Sequence, residues 1–189
     1  MPPKFKFEKS EIIQAALELT REGGIDAVTA RSLADRLGSS AKPIFGLFRN
    51  MEEVHREVLS AADRLYQSYL QTGMSGGKYP PYKASGMSYI RFAQAERELF
   101  KLLFMRDRSN EPITEDRESV RPLLEIIQKN LNIGEDQAYL FHLEMWIFVH
   151  GIATMIATSY LPWDEGSVEK MLTDAYLGLK QRYEGGEQA

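Results

Sequence analysis

Basic and hydroxyl-bearing side chains are concentrated in a short stretch of the chain, residues 29–49. Arg31, Lys42 and Arg49 are cations that could bind phosphate groups, and the Thr29 hydroxyl could add a hydrogen bond. A lysine that reaches the major groove of a duplex can also bind the edge of a guanine. The residues of this stretch can therefore bind anions, and nucleic acid is the candidate partner.

The distribution of charge supports this candidate better than its sum does. The 189-residue chain has a net charge of -4 and a pI near 5.5, which by itself argues against a polyanionic partner. Residues 1–50, however, contain eight Lys or Arg against six Asp or Glu, a net +2, so the other 139 residues carry -6. The N-terminal part is therefore where nucleic-acid contacts are expected.

Catalytic chemistry has few candidate groups in this chain. It contains no cysteine, which removes thiolate nucleophiles, disulfides and cysteine-bound zinc. His55, His142 and His150 are its only histidines, and no zinc-protease motif, phosphate loop or nucleophile elbow occurs. We therefore expect neither an enzyme nor a cofactor. The polar N-terminus and the lack of 18 consecutive uncharged apolar residues favour a cytoplasmic protein with no membrane span.

The elements that must position these groups are helices. Apolar residues recur three and four positions apart, as at Ile12, Ala15, Ala16 and Leu19, and no strand-length stretch alternates with period two. The pattern predicts an all-α fold with a clear loop at residues 72–81. The predicted helical segments are 10–22, 30–37, 41–47, 51–71, 82–105, 114–131, 135–160 and 167–182.

Capping residues mark where the short N-terminal helices begin. Thr29 is expected to cap the second helix and Ser40 the third. Asn50, with Glu53 three residues later, predicts a capping box at the start of a long fourth helix. Gly38 ends the second helix, so two short helices are joined by a tight turn and preceded by a packing helix. This is the arrangement of a helix-turn-helix.

Nine residues of this stretch follow one pattern of residue types and spacing: Thr29, Arg31, Leu33, Ala34, Gly38, Ser40, Phe45, Phe48 and Asn50. In this pattern the chain resembles the N-terminal segment of the TetR family. Phe45 matches the aromatic character of its position, but the family often has Tyr there, and it often has His and Lys where this chain has Leu47 and Met51. Each of these three departures removes a polar group that the resemblance would place on DNA phosphates.

From this resemblance residues 1–52 are expected to form the DNA-binding domain. Thr29 and Arg31 would contact phosphates at the start of the second helix. Lys42 would read a guanine or bind a flanking phosphate, and Ala41 could touch a thymine methyl. Further backbone contacts could come from Arg49 and from a basic arm. The predicted DNA-binding residues are Thr29, Arg31, Ser39, Ser40, Ala41, Lys42, Phe45 and Arg49, and the arm contains Lys4, Lys6 and Lys9.

The resemblance further implies that residues 53–185 form a helical ligand-binding and dimerisation domain, joined to the first by the long fourth helix. Trp146, His150 and Gly151 match a Trp-x-x-x-His-Gly signature of one TetR subgroup, and they would place an indole and an imidazole in one cavity or one core layer. Each candidate aromatic residue is also compatible with an ordinary core. The predicted ligand-binding residues are Tyr66, Tyr89, Phe92, Phe100, Phe104, Phe141, Trp146 and His150.

The functional expectation is a homodimeric repressor that a small apolar or aromatic effector releases from double-stranded operator DNA. The eighth predicted segment would supply Leu172, Tyr176 and Leu179 to a four-helix dimer interface, against small residues such as Ala153 and Ala157. The alternative is a helical adaptor or small-molecule-binding protein without specific DNA binding. Such a protein would need no basic recognition helix.

Overall fold

The computed structural model describes residues 6–109 and 117–184, and within them it confirms the predicted all-α fold, with no strand. A 3-10 helix at Ile25–Ala27 was not predicted. Lys4 and the predicted helix start at residue 114 lie outside the described residues. The α-helices are α1 (Lys9–Gly23), α2 (Ala30–Arg36), α3 (Lys42–Leu47), α4 (Met51–Ser75), α5 (Pro81–Ala95), α6 (Arg97–Phe104), α7 (Arg117–Leu131), α8 (Glu135–Ala157) and α9 (Glu165–Glu184).

Two of the predicted helix caps are confirmed. The Thr29 hydroxyl accepts a hydrogen bond from the Ser32 backbone N–H at 3.1 Å, and the Ser32 hydroxyl accepts one from the Thr29 N–H at 2.9 Å. At the start of α4 the Asn50 side chain accepts from the Glu53 N–H at 2.9 Å. The Glu53 carboxylate, however, accepts from the N–H of Arg49 rather than of Asn50, at 2.7 Å. The second hydrogen bond of the capping box, to the Glu53 carboxylate, therefore comes from the residue before the N-cap.

The predicted cap at Ser40 is wrong. Gly38 adopts a left-handed backbone, φ +57°, and the Ser39 N–H closes α2 by donating to the Ala34 carbonyl at 2.9 Å. The next helix then begins one residue later than expected, with Ala41 in the N-cap position. Ser40 is left exposed before the cap. The turn is thus closed by backbone geometry at Gly38 and not by a serine side chain.

The predicted loop at residues 72–81 is wrong in its first part, because α4 continues to Ser75. Gly73 lies against α5, where a Cβ atom would stand 1.8 Å from the Ser88 hydroxyl oxygen. A side chain at this position would displace the Ser88 hydroxyl, so the close approach of these helices favours glycine. Such packing compensates for the low intrinsic helix propensity of glycine, which the sequence pattern had read as a loop signal.

The aromatic-rich region predicted at residues 82–105 is divided into α5 and α6 at Glu96. This residue has a non-helical backbone, φ -126° and ψ 55°. Its carboxylate accepts two hydrogen bonds from the Arg21 guanidinium of α1, at 2.7 and 2.9 Å. A bidentate pair of this kind fixes both position and orientation, so the start of α6 is fastened to α1.

The described residues form two compact units, each with its own core. The first contains the chain up to Gln67 and Glu96–Arg106, and the second contains Ser68–Ala95 and the chain from Asp107 onward. The long helix α4 contributes residues to both. The functional boundary at residue 52 stays a prediction. Fully buried side chains of the first unit include Ile12, Leu33, Ile44, Phe48, Val54, Leu99 and Phe100, and those of the second include Phe92, Met87, Ile127 and Phe141.

Helix α8 is the core helix of the second unit and the most apolar helix of the described chain. By length and composition it could cross a membrane, although no membrane span was predicted. Its apolar character has another explanation in packing, since Phe141, Met145, Val149 and Ile156 are buried on one face. On another side Glu144 accepts a hydrogen bond from Arg182 of α9 at 2.6 Å.

Candidate nucleic-acid interface

The helix-turn-helix is held in place by polar contacts around its rim. Arg36 of α2 pairs with Glu18 and Glu22 of α1, and the hydrogen bond that it donates to Glu22 raises the pKa of its guanidinium. His55 of α4 lies 2.8 Å from the Val28 carbonyl, just before α2. These contacts join α1 to α2, and α4 to the segment that precedes α2.

Helix α3 has one buried and one exposed face. Ile44 is fully buried, and Phe48, just beyond the helix, is 2% exposed. Lys42 and Gly46 are exposed on the opposite side, together with Phe45, whose exposed fraction is 48%. Residues three and four apart share a helix face, so these three form a single outward surface, which we call the α3 outer face.

Two predicted cations are available to a partner. Arg31 at the start of α2 and Lys42 on α3 are both exposed, and neither forms an ion pair with another described residue. Arg49 is also exposed, and its backbone N–H is held by Glu53. Thr29 differs from these, because its hydroxyl is already used as the cap of α2. Its predicted phosphate contact would thus compete with its structural role.

The turn between α2 and α3 has a cation beside it. Lys6 donates a hydrogen bond to the Ser39 hydroxyl at 3.2 Å, which brings one residue of the predicted basic arm to the turn. The Lys9 ammonium does not contact the turn in this way. It forms an ion pair with Glu53 at 3.5 Å and lies 4.9 Å from the centre of the Phe48 ring. Of the described arm, Lys6 is therefore nearer to the predicted recognition residues.

The predicted ligand-binding aromatics of the first unit form one cluster. The Tyr66 ring lies edge-on to Phe104 at 5.1 Å, and Phe104 lies 5.2 Å from Phe100. Phe100 is fully buried, whereas Tyr66 and Phe104 are partly exposed. Burial raises the pKa of the Tyr66 phenol. Tyr66 and Phe104 are thus the members that an apolar ligand could reach without repacking.

A second cluster contains the three residues Tyr89, Trp146 and His150. The indole of Trp146 stacks on the His150 imidazole, with ring centres 4.9 Å apart and an angle of 17°. His150 Nδ1 lies 2.8 Å from the Tyr89 hydroxyl. Tyr89 is buried, but Trp146 is 40% exposed, and partial burial lowers the pKa of His150. The signature residues therefore form a stacked pair at the surface rather than a core layer.

Phe92 and Phe141 belong to other aromatic contacts of the second unit. Phe92 packs on Tyr69 at 5.3 Å, and Phe141 packs on Tyr176 at 5.5 Å. Both phenylalanines have no solvent-accessible surface, so no space large enough for water touches them. Their ligand-binding role stays a prediction, and it would require the core to open.

The comparisons with known proteins agree with this geometry. A model of the bacterial regulatory proteins of the tetR family matches residues 12–58, which span α1 to the first part of α4. A model of a tetracyclin repressor-like C-terminal domain matches residues 82–176. The chain belongs to the TetR family.

Individual TetR-family relatives resemble the chain over different lengths. The tetracycline repressor protein class A from transposon 1721 of Escherichia coli is 32% identical over 77 residues, with coverage of 34% of this chain and 36% of that protein. The chain thus spans about a third of the length of this curated relative. A solved TetR-family structure from Vibrio parahaemolyticus is similar in fold, with a TM-score of 0.59 and 18% identity over 88% of this chain and 95% of that one.

The expected dimer residues of this TetR-family chain need correction. Leu172 is 3% exposed, and Ala153 and Ala157 are buried within the unit. Tyr176 packs on Phe141. Leu172, Ala153 and Ala157 are therefore covered within the protomer and offer no surface to a partner. Tyr176 and Leu179 keep partial exposure, so their place in the interface stays a prediction. Other apolar residues of the same two helices are exposed. Besides Trp146, they are Leu140, Ile147 and Phe148 of α8 and Leu177 of α9, and these four we call the α8/α9 face.

Two features of the second unit were not singled out from the sequence. The seven-residue spacing of Leu140 and Ile147 was a signal for a second apolar stripe on α8, but the overall apolarity of the helix concealed it. The other feature is His142, whose Nδ1 lies 3.2 Å from the Tyr82 hydroxyl. Burial lowers the pKa of His142 from 6.5 to about 4. No sequence signal distinguished this histidine.

Proposed function

We propose that this TetR-family protein is a homodimeric, DNA-binding transcriptional repressor that acts in the cytoplasm and has no catalytic activity. The observation that carries the proposal is the α3 outer face, which presents Lys42 and Phe45 away from the core on a helix-turn-helix. Among the described residues, no group of three or more acidic or histidine side chains could hold a metal ion, and no step of the proposal needs one.

The proposed DNA contacts divide into positioning and reading groups. Arg31 and Arg49 bind phosphates and set the register of the protein on the duplex, as does Lys6 beside Ser39. Lys42 binds a base edge in the major groove, because it lies on the outer face of the helix that enters the groove. Ser40 and Ala41 precede α3 and approach the groove with it.

Dimerisation follows from the need for two recognition helices. One α3 reads too few base pairs to select an operator, so a two-fold dimer reads two half-sites. The α8/α9 face supports this interface: Ile147 is 65% exposed and Leu177 is 54% exposed. A Cβ at Gly151 or Gly178 would meet nothing within 4 Å in the protomer, which leaves room for close approach of a partner helix.

An apolar or aromatic effector would release the repressor from DNA. The ring clusters Tyr66–Phe104 and Trp146–His150 support this part of the proposal, because both combine partial exposure with a polar group. Helix α4 belongs to both compact units, so a ligand that favours one position of α4 can change the affinity for DNA. By linkage, DNA and ligand then change each other's affinity by the same factor.

The decisive experiment for DNA binding is a selection from a random pool of DNA duplexes at moderate salt. We expect the purified protein to select a palindrome with half-sites about one helical turn apart. The double variant Arg31→Ala/Lys42→Ala is the control and should select nothing. Failure of the wild-type protein to select any palindrome, while it remains folded and dimeric, would favour the adaptor alternative.

The effector site requires a separate titration. A screened ligand should weaken operator binding of the wild-type protein in fluorescence anisotropy. Trp146→Ala should reduce this response and leave ligand-free operator binding within a few-fold, and His150→Ala should act more mildly. If Trp146→Ala loses thermal stability with an unchanged ligand response, this tryptophan is structural only.

A further inference from the structure

The α3 outer face contains an aromatic ring, that of Phe45, which stacks on no ring or cation among the described residues. Phe45 is 48% exposed, although Ile44 beside it is fully buried. In the described part of the first unit, Phe45 is the most exposed large apolar side chain, followed by Met105 at 39%. Exposure of a phenylalanine ring to water is unfavourable, so a partner that covers it would gain affinity.

The surroundings of Phe45 indicate what kind of partner this is. Lys42 lies one turn earlier on the same face, and neither Lys42 nor Arg31 is paired with another described residue. An apolar protein surface would have to desolvate these cations. A DNA duplex instead neutralises them with phosphates and still offers one apolar group in its major groove, the 5-methyl group of thymine.

The chemistry of the ring narrows the contact further. A phenyl ring can neither donate nor accept a conventional hydrogen bond, so Phe45 cannot read the polar edge of a base. Gly46, its neighbour on the outer face, has no side chain to keep the helix away from the bases. The ring can therefore reach the floor of the groove, where contact with a methyl group is the available gain.

We propose that Phe45 is a specificity-determining residue that recognises the 5-methyl group of a thymine in each half-site of the operator. This inference rests on the proposed function, since it requires that α3 enters the major groove. It assigns the apolar part of base recognition to Phe45 and leaves hydrogen bonding to Lys42.

The test replaces each thymine of the selected operator in turn by deoxyuridine, which removes only the methyl group. We expect wild-type affinity to fall about fourfold at one thymine position per half-site, which corresponds to ~0.8 kcal/mol for one buried carbon group. Phe45→Ala should bind the thymine and deoxyuridine operators equally. Phe45→Tyr, which keeps the ring, should retain the difference, and so should the control Met105→Ala.

The position of the effect gives a second measurement that does not require Phe45→Ala to bind tightly. Three residues of helix advance about 4.5 Å, while successive base pairs are about 3.4 Å apart. The responsive thymine should therefore lie within about two base pairs of the base whose preference is relaxed in Lys42→Ala.

Three results would overturn the inference. The first is a wild-type protein that selects an operator but responds to no deoxyuridine substitution; this leaves the proposed function intact. The second is an equal methyl effect in wild type and Phe45→Ala, and the third is a responsive thymine distant from the Lys42 base. A wild-type protein that selects no operator overturns the proposed function as well.

Discussion

Helices α3 and α8 both expose apolar side chains, but in different electrostatic settings. The six-residue α3 presents one ring, Phe45, beside Lys42, which forms no ion pair with another described residue. The 23-residue α8 presents Leu140, Ile147 and Phe148, and its nearby Glu144 is already paired with α9. An apolar group among free cations fits a nucleic-acid groove, whereas an apolar stripe with satisfied charges fits another protein surface.

The two units also differ in how their helices are joined. In the first unit, ion pairs such as Arg21–Glu96 join α1 to its neighbours. In the second, α5 is joined to α8 by two partly buried tyrosine–histidine hydrogen bonds. Because burial lowers the pKa of His142 and of His150, a fall in pH from 7 to 5 should destabilise the second unit.

The largest expected effect comes from a charge on the α8/α9 face. Ile147→Asp should convert the dimer into a monomer and weaken operator binding at least about 100-fold, since a symmetric interface would bury two unpaired carboxylates. Sedimentation equilibrium measures the first result and fluorescence anisotropy the second. Gln94→Asp, an equal charge change at an exposed position of α5, should remain dimeric. An Ile147→Asp protein that dimerises normally would locate the interface elsewhere.

The next effect separates the two cations of the DNA-binding surface. Lys42→Ala should weaken operator binding by about 1 to 3 kcal/mol and relax the preference at one base, because a base contact is lost. Arg31→Ala should weaken all duplexes similarly and reduce the slope of affinity against salt by about one. Salt titrations with operator and scrambled duplexes measure both. Equal, sequence-independent losses would assign Lys42 to a phosphate instead.

Helical periodicity and the caps explain why most of the fold was predictable. The spacing of apolar residues and the cap at Thr29 are local properties of the chain, and both were read correctly. Gly73 was misread because its helical state depends on contact with Ser88, which is 15 positions away in sequence. Tertiary contacts of this kind override local propensity.

The candidate site was predictable to a different extent. Residue type and family resemblance marked Lys42 and Phe45 as candidates, but the exposure of the Phe45 ring became visible only in the structure. For Tyr176 and Leu172 the helical pattern marked an apolar residue without indicating which apolar face of α9 packs inside the protomer. A helix with two apolar faces cannot be oriented from its periodicity alone.

A smaller effect concerns the pH dependence of stability. The folded state holds the pKa of His142 at about 4, below its ordinary 6.5, so the unfolded chain binds a proton that the folded chain excludes. The stability that this pKa difference of His142 contributes to the folded state is fully present above pH 6.5, and it is lost as the pH falls toward 4. Between pH 7 and 5 the free energy of unfolding should decrease by up to about 2 kcal/mol.

Urea unfolding at pH 7, 6 and 5 tests this prediction. Glu165, whose pKa is lowered to about 2 by Arg91 and Lys78, titrates below this range and should not interfere. His142→Gln should flatten the pH dependence, although the lowered pKa of His150 leaves part of it. An unchanged dependence in His142→Gln would mean that another group is responsible.

The smallest effect separates the structural role of Thr29 from its proposed role at the DNA. Thr29→Ala removes the cap of the seven-residue α2 and should lower the free energy of unfolding by about 1 kcal/mol. Thr29→Asp can restore the cap, because a carboxylate also accepts from the Ser32 N–H. If the start of α2 faces a phosphate, however, the added negative charge should weaken DNA binding even though stability recovers.

Asp164→Ala, which removes a comparable cap from α9 in the second unit, is the matched control and should leave operator affinity unchanged. Urea unfolding and anisotropy on the same four proteins measure the two properties independently. Recovery of both stability and DNA affinity in Thr29→Asp would show that Thr29 acts only as a cap and that no phosphate lies at this helix end.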